Sequence, residues 1–229
     1  TRPRKVAAAS EALSQPAWSP DGRYLVFVSW TPDAGGHIWS LDVEGDCIPR
    51  RLTTEPAFYT DPIISGDGSK VFALRGLHSD VDLRLGELPE TLDLVWVPLD
   101  GGKARAVDVA HPGRHPHVAG HEQRVYTSDG HTLQSISPDG GDRRTHLRLV
   151  GRFDSEENSQ PTAELVLASP DGGRALALVN KQLWFLTSIP RDGEPTTLDL
   201  RLPDARARRL TEVGADFFGW VDDHTIFWS

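Results

Sequence analysis

The sequence of 229 residues contains no methionine and a single cysteine, Cys47. One cysteine cannot form an internal disulfide, which excludes a fold held together by disulfide bonds. No apolar run approaches the roughly 18 residues that a membrane-spanning helix needs. Because the chain begins at Thr1 and lacks methionine, we expect it to be a processed or excised piece of a longer protein, so a missing leader sequence carries no information.

Positive charge is scarce as well. The chain has 24 lysines and arginines against 33 aspartates and glutamates, which gives a formal net charge of -9. An acidic surface repels phosphate backbones, so the composition argues against nucleic acid as a partner. The 21 glycines and 17 prolines indicate a chain with many tight turns.

The sequence does contain a repeat. Turns of the form Ser-Pro-Asp-Gly or Ser-Gly-Asp-Gly begin at Ser19, Ser65 and Ser169, and degenerate copies run through 119–124 and 220–225. Successive anchors at Ser19, Ser65, Ala119, Ser169 and Val221 lie 46, 54, 50 and 52 residues apart. A period of about fifty residues indicates one supersecondary unit that is repeated and packs against its neighbours.

Each repeat reads as four consecutive antiparallel strands. In the first copy the predicted strands are 15–19, 24–29, 37–42 and 48–53, separated by turn residues. A β-branched and aromatic run such as 24–29 is typical of a buried strand. Four strands joined in sequence form a meander, which is one blade of a β-propeller.

The sequence therefore predicts an all-β fold, a β-propeller of four-stranded antiparallel blades with four complete blades and partial blades at both ends. As one domain, it would have blades at about 13–53, 54–107, 108–149 and 160–211, with partial blades at 1–8 and 212–229. We interpret the chain as an excerpt of a longer propeller, because joining the two ends would still lack a third strand. The alternative is that the ends share one imperfect fifth blade.

The Ser-Pro-Asp-Gly turn, the Asp-Gly-Gly hairpin and the closing sequence Arg-Arg-Leu-Thr together resemble the TolB-type (PD40-like) propeller repeat. More narrowly, residues 142–147, 169–180 and 216–220 resemble the propeller region that precedes the metal-dependent hydrolase domain of large bacterial amidohydrolase-family proteins. This resemblance implies an exported protein in a periplasmic or secreted setting. It also implies that the propeller itself is accessory to catalysis carried out elsewhere.

Alternate turns of a meander fall on opposite edges of the sheet. The Ser-Pro-Asp-Gly turns and Asp-Gly-Gly hairpins are short and share one face, together with an insertion at 188–205. The opposite face carries the longer connections at 30–36, 75–93, 108–115 and 150–164. Binding residues concentrate on loops held by a rigid scaffold, so we expect the long-loop face to be the binding face.

Polar residues stand just before the apolar first strands on that face. They are Gln15, Asp61, His115, Glu164 and Asp216. If the blades are arranged radially, these residues ring the mouth of a central channel and offer a polar site for a cation, a water cluster or a peptide end. The alternative is that the mouth of such a channel is simply hydrated, since a fold does not by itself specify a site.

Four histidines, at 111, 115, 117 and 121, form the densest group of metal-binding side chains. The strand predicted at 116–119 spans about 13 Å, which places His121 on the face opposite His111 and His115. His111, His115 and His117 are therefore weak candidates for a metal site. We interpret them as hydrated loop histidines and predict neither a metal ion nor a cofactor.

No catalytic residue is predicted within this chain. The sequence has no Gly-x-Ser-x-Gly nucleophile elbow, no P-loop and no dinucleotide fingerprint. Asp21, Asp67 and Asp171 lie in Asp-Gly turns, where aspartate serves to form the turn. Whether a longer parent protein is a hydrolase stays open at this point.

Three functions are consistent with these observations. The first is a non-catalytic propeller accessory to an exported metal-dependent amidohydrolase, packed on that catalytic domain. The second is a stand-alone TolB-like module that binds a protein or peptide, and the third is a metal-dependent propeller lyase that uses the candidate histidines. The expected partners are a protein, a peptide or an adjacent catalytic domain, without nucleic acid or membrane insertion.

Overall fold

A computed structural model describes residues 12–77, 89–120, 122–150, 154–155, 158–159, 163–212 and 214–229. These residues divide into two compact units at the bond between Gly113 and Arg114. We call them unit 1 and unit 2. Within the described residues the regular structure is entirely β, which confirms the predicted all-β class, and no helix there could cross a membrane.

Unit 1 consists of two four-stranded antiparallel meanders. Blade 1 contains β1 (Ala12–Trp18), β2 (Tyr24–Trp30), β3 (Ile38–Asp42) and β4 (Arg50–Arg51). Blade 2 contains β5 (Phe58–Ile64), β6 (Lys70–Gly76), β7 (Leu92–Pro98) and β8 (Arg105–Ala110). In each blade every strand pairs with the next one in sequence, as a propeller blade requires.

Unit 2 repeats this pattern with additions. Blade 3 contains β9 (His117–Ala119), β10 (Arg124–Ser128), β11 (Thr132–Ile136) and β12 (Arg144–Val150), and a small hairpin follows with β13 (Asp154–Ser155) and β14 (Asn158–Ser159). Blade 4 contains β15 (Leu165–Ala168), β16 (Ala175–Val179), β17 (Gln182–Leu186) and β19 (Ala207–Arg209), with β18 (Thr196–Asp199) inserted before its last strand. A two-stranded sheet of β20 (Phe218–Trp220) and β21 (Ile226–Trp228) follows.

The cores lie where blades pack face to face. In β2 of blade 1, Val26 and Val28 pack in one cluster with residues of blade 2, such as Val71. The alternate residues Leu25 and Phe27 bury against a second cluster on the other face of blade 1. Both faces of the strand are therefore covered, which explains why its sequence is continuously apolar rather than alternating.

Unit 2 is built in the same way. Tyr126 and Leu133 of blade 3 share one buried cluster with Val166 and Ala177 of blade 4. Blade 4 in turn buries Leu183 in a cluster with residues of the β20–β21 sheet. The faces between blades, rather than a single central layer, supply the buried apolar surface that stabilises each unit.

The Ser-Pro-Asp-Gly turns form a repeated hydrogen-bonded device. In the first copy the Ser19 hydroxyl donates to Asp21 Oδ1 at 2.5 Å and accepts from the Tyr24 main-chain N–H at 2.8 Å. Asp21 Oδ1 also accepts from the Arg23 N–H at 3.0 Å, and Gly22 adopts a φ of 73°. These bonds lower the pKa of Asp21, and its carboxylate is thus engaged in hydrogen bonds within the turn.

The other two clear copies are equivalent. Ser65 donates to Asp67 Oδ1 at 2.5 Å, and Ser169 donates to Asp171 Oδ1 at 2.5 Å. Hydrogen bonds from Ser65 and Ser69 lower the pKa of Asp67 to about 2. The prediction that the three turn aspartates form turns is thus confirmed.

The insertion at 188–205 carries a strand that the sequence did not reveal. Within it, β18 pairs in parallel with β12 at the outer edge of blade 3, with Leu147 opposite Thr196 and Leu149 opposite Leu198. Leu198 is fully buried. Blade 3 therefore has five strands, the fifth supplied by the chain of blade 4.

The same insertion is fastened to both blades of unit 2. The Ile189 N–H donates to the Gly173 carbonyl of blade 4 at 3.0 Å. His146 of blade 3 donates from Nδ1 to the Pro190 carbonyl at 2.8 Å. We call residues 188–205 the strap, because the segment pairs with the outer strand of blade 3 and is hydrogen-bonded to the turn between the first two strands of blade 4.

Unit 1 joins its outer edges differently. The Asp-Gly-Gly hairpin of blade 2 reaches the end of blade 1, where the Gly102 N–H donates to the Leu52 carbonyl at 2.8 Å. A Cβ on Gly101 would lie 3.3 Å from that carbonyl oxygen, and Gly101 has a φ of 94°. Glycine is therefore required here by both the backbone conformation and the close approach.

The structure describes the C-terminal end of the chain but not residues 1–11. The predicted partial blade at 1–8 lies outside the described residues. The predicted partial blade at 212–229 contains the β20–β21 sheet. The exact limits of the blades as parts of one domain stay a prediction.

Candidate functional site

Three of the predicted site residues share an unusual backbone conformation. Gln15, Asp61 and His115 have φ values of 52°, 51° and 44°, and each precedes a proline. Residues other than glycine rarely adopt positive φ, and a following proline normally favours an extended conformation. The repeat thus holds a strained conformation at the same place in three blades, and such strain often accompanies functional sites.

The strain coincides with bulges in the first strands of unit 1. The pairing of β1 with β2 shifts between Ser14 and Ala17, and that of β5 with β6 shifts between Thr60 and Ile63. Both strands therefore continue further upstream of the proline than predicted, to Ala12 rather than Gln15 in blade 1 and to Phe58 rather than Pro62 in blade 2. The prediction missed this because proline cannot donate to the ladder, whereas a bulge removes that requirement.

In unit 1 the side chains at these positions fasten blade 1 to blade 2. Gln15 Nε2 donates to the Thr60 hydroxyl at 2.8 Å, and Gln15 Oε1 accepts from the Asp61 main-chain N–H at 2.8 Å. The Thr60 hydroxyl in turn lies 3.2 Å from Asp61 Oδ2. Asp61 is only 9% exposed, so its carboxylate belongs to a nearly buried polar cluster.

In unit 2 the corresponding connection is made by Arg114, the residue before His115. Its Nη1 donates to the Ala163 carbonyl at 2.6 Å and also to the carbonyl of Glu164. The Glu164 carboxylate does not contact Arg114 but accepts from the Lys181 main-chain N–H at 3.1 Å. Sequence reasoning missed Arg114, which occupies the place before His115 that Thr60 occupies before Asp61.

The remaining predicted positions of unit 2 are open to solvent. His115, Glu164 and Asp216 are all exposed. Glu164 and Asp216 precede β15 and β20 and connect through the turn before β17, because the Ala215 N–H donates to the Lys181 carbonyl at 2.8 Å. Unit 2 therefore gathers exposed charged side chains of both signs where its first strands begin.

Both ring nitrogens of His117 form hydrogen bonds within the protein. Nε2 accepts from the Ala168 main-chain N–H at 2.8 Å, so Nδ1 carries the proton and donates to the His115 carbonyl at 3.1 Å. The ring stacks on Tyr126 with centroids 5.7 Å apart. Burial lowers the pKa of His117 to about 4, so the imidazole is neutral at pH 7.

These bonds bear on the candidate metal ligands. A neutral imidazole binds a metal through its unprotonated nitrogen, and in His117 that nitrogen is already occupied by an N–H group. His111 belongs to unit 1, and His121 lies outside the described residues. Among the described residues, no group of three or more His, Cys, Asp or Glu side chains could hold a metal ion.

Unit 2 also contains a serine and a histidine at catalytic distance. Ser135 Oγ lies 2.6 Å from His146 Nε2, and Arg124 Nε donates to the same Oγ at 2.7 Å. Ser135 is fully buried and His146 is 1% exposed, so no substrate reaches them. The arginine bond further occupies the serine oxygen, and we interpret the trio as a structural network inside blade 3.

A surface pocket of about 550 Å³ lies on the outer strands of blade 1. Three of its charged groups are bonded within the protein. Arg23 pairs with Asp42 at 2.8 Å, and Arg50 donates to the carbonyls of Leu99 and Asp100 at 2.5 and 3.2 Å. This pocket is therefore a weaker candidate for binding than the first-strand positions of unit 2.

Comparison with known proteins identifies the fold. No protein-family model matches the chain, and no curated protein sequence matches it. A solved structure assigned as TolB, from Agrobacterium tumefaciens, is similar with a TM-score of 0.55 at 20% sequence identity, over 93% of this chain and 67% of that one. A puromycin-hydrolysing peptidase from Mycobacterium tuberculosis has a TM-score of 0.49 at 17% identity, over 81% of this chain and 29% of the peptidase. The four antiparallel meanders and the likeness to the Agrobacterium structure confirm that the chain has the TolB-type β-propeller fold predicted from its turns.

Proposed function

We propose that this chain is a non-catalytic β-propeller module that binds a protein or a peptide. The TolB-type fold supports such a role, because propellers present loops on a rigid scaffold. The observation that carries the proposal is the exposure of the first-strand side chains of unit 2, since the Gln15 side chain of unit 1, although exposed, is bonded to the buried Thr60 and Asp61. Asp61 is buried in an inter-blade cluster, whereas His115, Glu164 and Asp216 are exposed.

The five predicted binding residues therefore have two different roles. His115, Glu164 and Asp216 contact the partner, and Gln15 and Asp61 hold the neighbouring blades in place. A surface that offers an imidazole, two carboxylates and the nearby Arg114 suits a polar peptide segment. Such a surface gives specificity through hydrogen bonds rather than through a large apolar area.

The experiment is a binding assay with the three exposed residues replaced together by alanine. The wild-type chain is used to capture a partner from a bacterial envelope extract, and the affinity of the isolated partner is then measured for each variant. The triple variant is expected to bind about tenfold or more weakly, since a few contacts dominate most interfaces. The matched control is Glu194→Ala, an exposed residue of the strap. Equal losses in both variants would reject the proposed surface.

Whether the module is attached to an enzyme is a second part of the proposal. The resemblance of residues 142–147, 169–180 and 216–220 to amidohydrolase-linked propellers supports an accessory role beside an exported metal-dependent hydrolase. The TolB-type fold supports the stand-alone interaction module instead. In either case the purified chain is expected to show no hydrolase turnover, and turnover by this chain would contradict both forms.

We also propose that the protein is periplasmic or secreted, on the basis of the same family resemblance. Fractionation of the source cells tests it directly. Recovery of the protein in the periplasmic or secreted fraction supports the proposal, and recovery with cytoplasmic markers contradicts it. The lyase alternative gains no support, because the metal-binding nitrogen of His117 is already hydrogen-bonded.

A further inference from the structure

Arg114 carries more hydrogen-bond donors than its role between the blades requires. In unit 1 the neutral amide of Gln15 is sufficient for the corresponding connection. Arg114 makes its connection with Nη1 alone, which leaves the N–H of Nε and the two of Nη2. These three N–H groups form no hydrogen bond with the part of the chain that the structure describes.

The charge of Arg114 has no ion-pair partner within the described parts of the chain. No acidic side chain of the described residues forms an ion pair with it, and Asp129 and Glu164 act on it only through space. Desolvation is the largest effect on Arg114 and lowers its pKa, although a guanidinium stays charged at physiological pH. A half-buried cation of this kind is stabilised by an incoming anion.

The neighbouring acid that would ordinarily pair with this arginine is held elsewhere. Glu164 Oε1 accepts from the Lys181 main-chain N–H, in a turn where Asn180 and Lys181 both have positive φ. The Glu164 main chain, not its carboxylate, contacts Arg114. The guanidinium edge formed by Nε and Nη2 is the geometry that binds a planar carboxylate through two parallel hydrogen bonds.

We propose that Arg114 anchors a subsite for the carboxylate group of a bound peptide. The inference rests on the proposed function and adds a ligand class to it. The carboxylate accepts from Nε and Nη2 of Arg114 while Nη1 keeps blades 3 and 4 connected. Because Asp129 and Glu164 carry negative charge nearby, a single carboxylate fits the site better than a multiply charged anion.

The first test uses sodium acetate as the probe and NMR detection of the arginine Nε–H groups. The Arg114 signal is expected to shift saturably with acetate and not with sodium chloride at equal ionic strength. Arg114→Gln removes the charge and the planar fork, and its amide nitrogen ends two bonds short of the arginine Nη1 that contacts the Ala163 and Glu164 carbonyls. Its thermal midpoint is therefore expected to fall, and the variant, measured where it is still folded, is expected to lose the acetate-induced shifts of neighbouring amides.

Three results would overturn the inference. One is an Arg114 signal that does not respond to acetate, and another is an equal response to chloride. The third is an undiminished acetate response of neighbouring amides in Arg114→Gln. If that variant proves unfolded, Arg114→Lys decides the matter, because lysine keeps the charge but loses the planar fork; its acetate affinity should fall about tenfold. An unchanged affinity in Arg114→Lys contradicts bidentate binding.

The source of the carboxylate is separated with two acetylated tetrapeptides. One contains only alanine and ends in a free carboxylate, and the other is amidated and carries one glutamate. Binding of the first alone assigns a peptide C-terminus, and binding of the second assigns an acidic side chain. A fully amidated alanine peptide that binds equally well contradicts the subsite, yet leaves the proposed peptide-binding surface standing.

Discussion

The two units connect the first strands of their neighbouring blades through different side chains. Unit 1 connects the first strands of its blades through the Gln15 amide, which is bonded to Thr60 and to the Asp61 main chain beside the Asp61 carboxylate. Unit 2 uses a guanidinium and a neutral imidazole, with Arg114 bonded to main-chain carbonyls and His117 bonded to the Ala168 N–H. A repeat can therefore keep its backbone while the side chains that join its blades change.

The outer edges show the same contrast. In unit 1 a glycine hairpin of blade 2 rests on the end of blade 1, with two main-chain hydrogen bonds between Gly102 and the segment after β4. In unit 2 the strap adds a parallel strand to blade 3 and hydrogen bonds to both blades. Unit 2 is thus connected both where its first strands begin and at the outer strand of blade 3.

The largest expected effect comes from the aromatic centre of unit 2. Tyr126 is 1% exposed and stacks between His117 and His146, with centroid distances of 5.7 and 5.0 Å. Tyr126→Ala is expected to lower the free energy of unfolding by about 3–5 kcal/mol. It should also raise the pKa of His117 from about 4 towards its ordinary value, because the covering ring is lost.

Chemical denaturation measures the first effect, and histidine NMR titration measures the second. Tyr24→Ala is the control, since Tyr24 is only partly buried in blade 1 and should lose less stability. An unchanged His117 pKa in Tyr126→Ala would show that the stacked ring does not cause the burial. The special role given to this stack in unit 2 would then be wrong.

The next effect is a loss of stability in acid that originates in unit 2. The folded-state pKa of His117 is about 4, below its ordinary value of 6.5, so the unfolded chain binds more protons between these values. This contribution to stability is complete above pH 6.5 and is lost as the pH falls towards 4. Its full size is about 3 kcal/mol. Burial lowers the pKa of His146 as well, which adds to the loss in the same direction.

Urea unfolding at pH 7 and at pH 4.5 measures this dependence. His117→Gln is expected to be less stable at pH 7, because glutamine cannot reproduce both ring contacts, and to show a smaller difference between the two pH values. A difference as large in His117→Gln as in the wild type would show that other groups cause the acid sensitivity.

A matched pair of glycines separates backbone strain from packing. Gly22 and Gly172 occupy the same turn position, with φ values of 73° and 75°. A Cβ on Gly22 meets nothing within 4 Å, whereas a Cβ on Gly172 would lie 2.9 Å from the Tyr126 hydroxyl. Gly22→Ala is expected to lose about 1–2 kcal/mol from strain alone, and Gly172→Ala about 1–3 kcal/mol more from the clash.

Thermal and urea unfolding of the two single variants test this pair. The prediction concerns the difference between them, which is less sensitive to the unfolded state than either value alone. Equal losses would show that the Tyr126 hydroxyl moves aside without cost. Blades 3 and 4 would then be packed less tightly than their contacts indicate.

The smallest effect concerns the junction of unit 1. Gln15→Ala removes the bonds to Thr60 and to the Asp61 N–H and leaves buried polar groups unsatisfied, at a loss of about 1–2 kcal/mol. Gln182→Ala is the control, because among the described residues the Gln182 side chain makes a single exposed hydrogen bond, of 3.4 Å from Arg209. It should change stability by less than about 0.5 kcal/mol. Equal stability of both variants would remove the structural role given to Gln15.

Much of this fold could be predicted from local sequence. The Ser-Pro-Asp-Gly turns are fixed by bonds between neighbouring residues, such as Ser19 to Asp21, so their sequence is sufficient to recognise them. The apolar run of β2 likewise reflects burial on both faces. The equivalence of Gln15, Asp61 and His115 followed from position in the repeat, and their shared backbone conformation is its physical counterpart.

The features that could not be predicted depend on distant partners. The strand β18 is short and pairs in parallel with β12, about fifty residues away. The sequence of Thr196–Asp199 alone therefore does not predict it. The bulges that extend β1 and β5 beyond their prolines depend on neighbouring blades in the same way. Arg114 was overlooked because its importance lies in a main-chain contact at Ala163, which no motif records.

The most direct test compares one variant from each unit in the same two assays. His115→Ala/Glu164→Ala/Asp216→Ala changes exposed residues of unit 2, and Gln15→Ala changes the junction of unit 1. We predict that the triple variant binds the captured partner about tenfold or more weakly and loses less stability than Gln15→Ala. Gln15→Ala should lose stability yet bind normally while folded. The opposite pattern, with binding lost in Gln15→Ala and kept in the triple variant, would contradict this prediction.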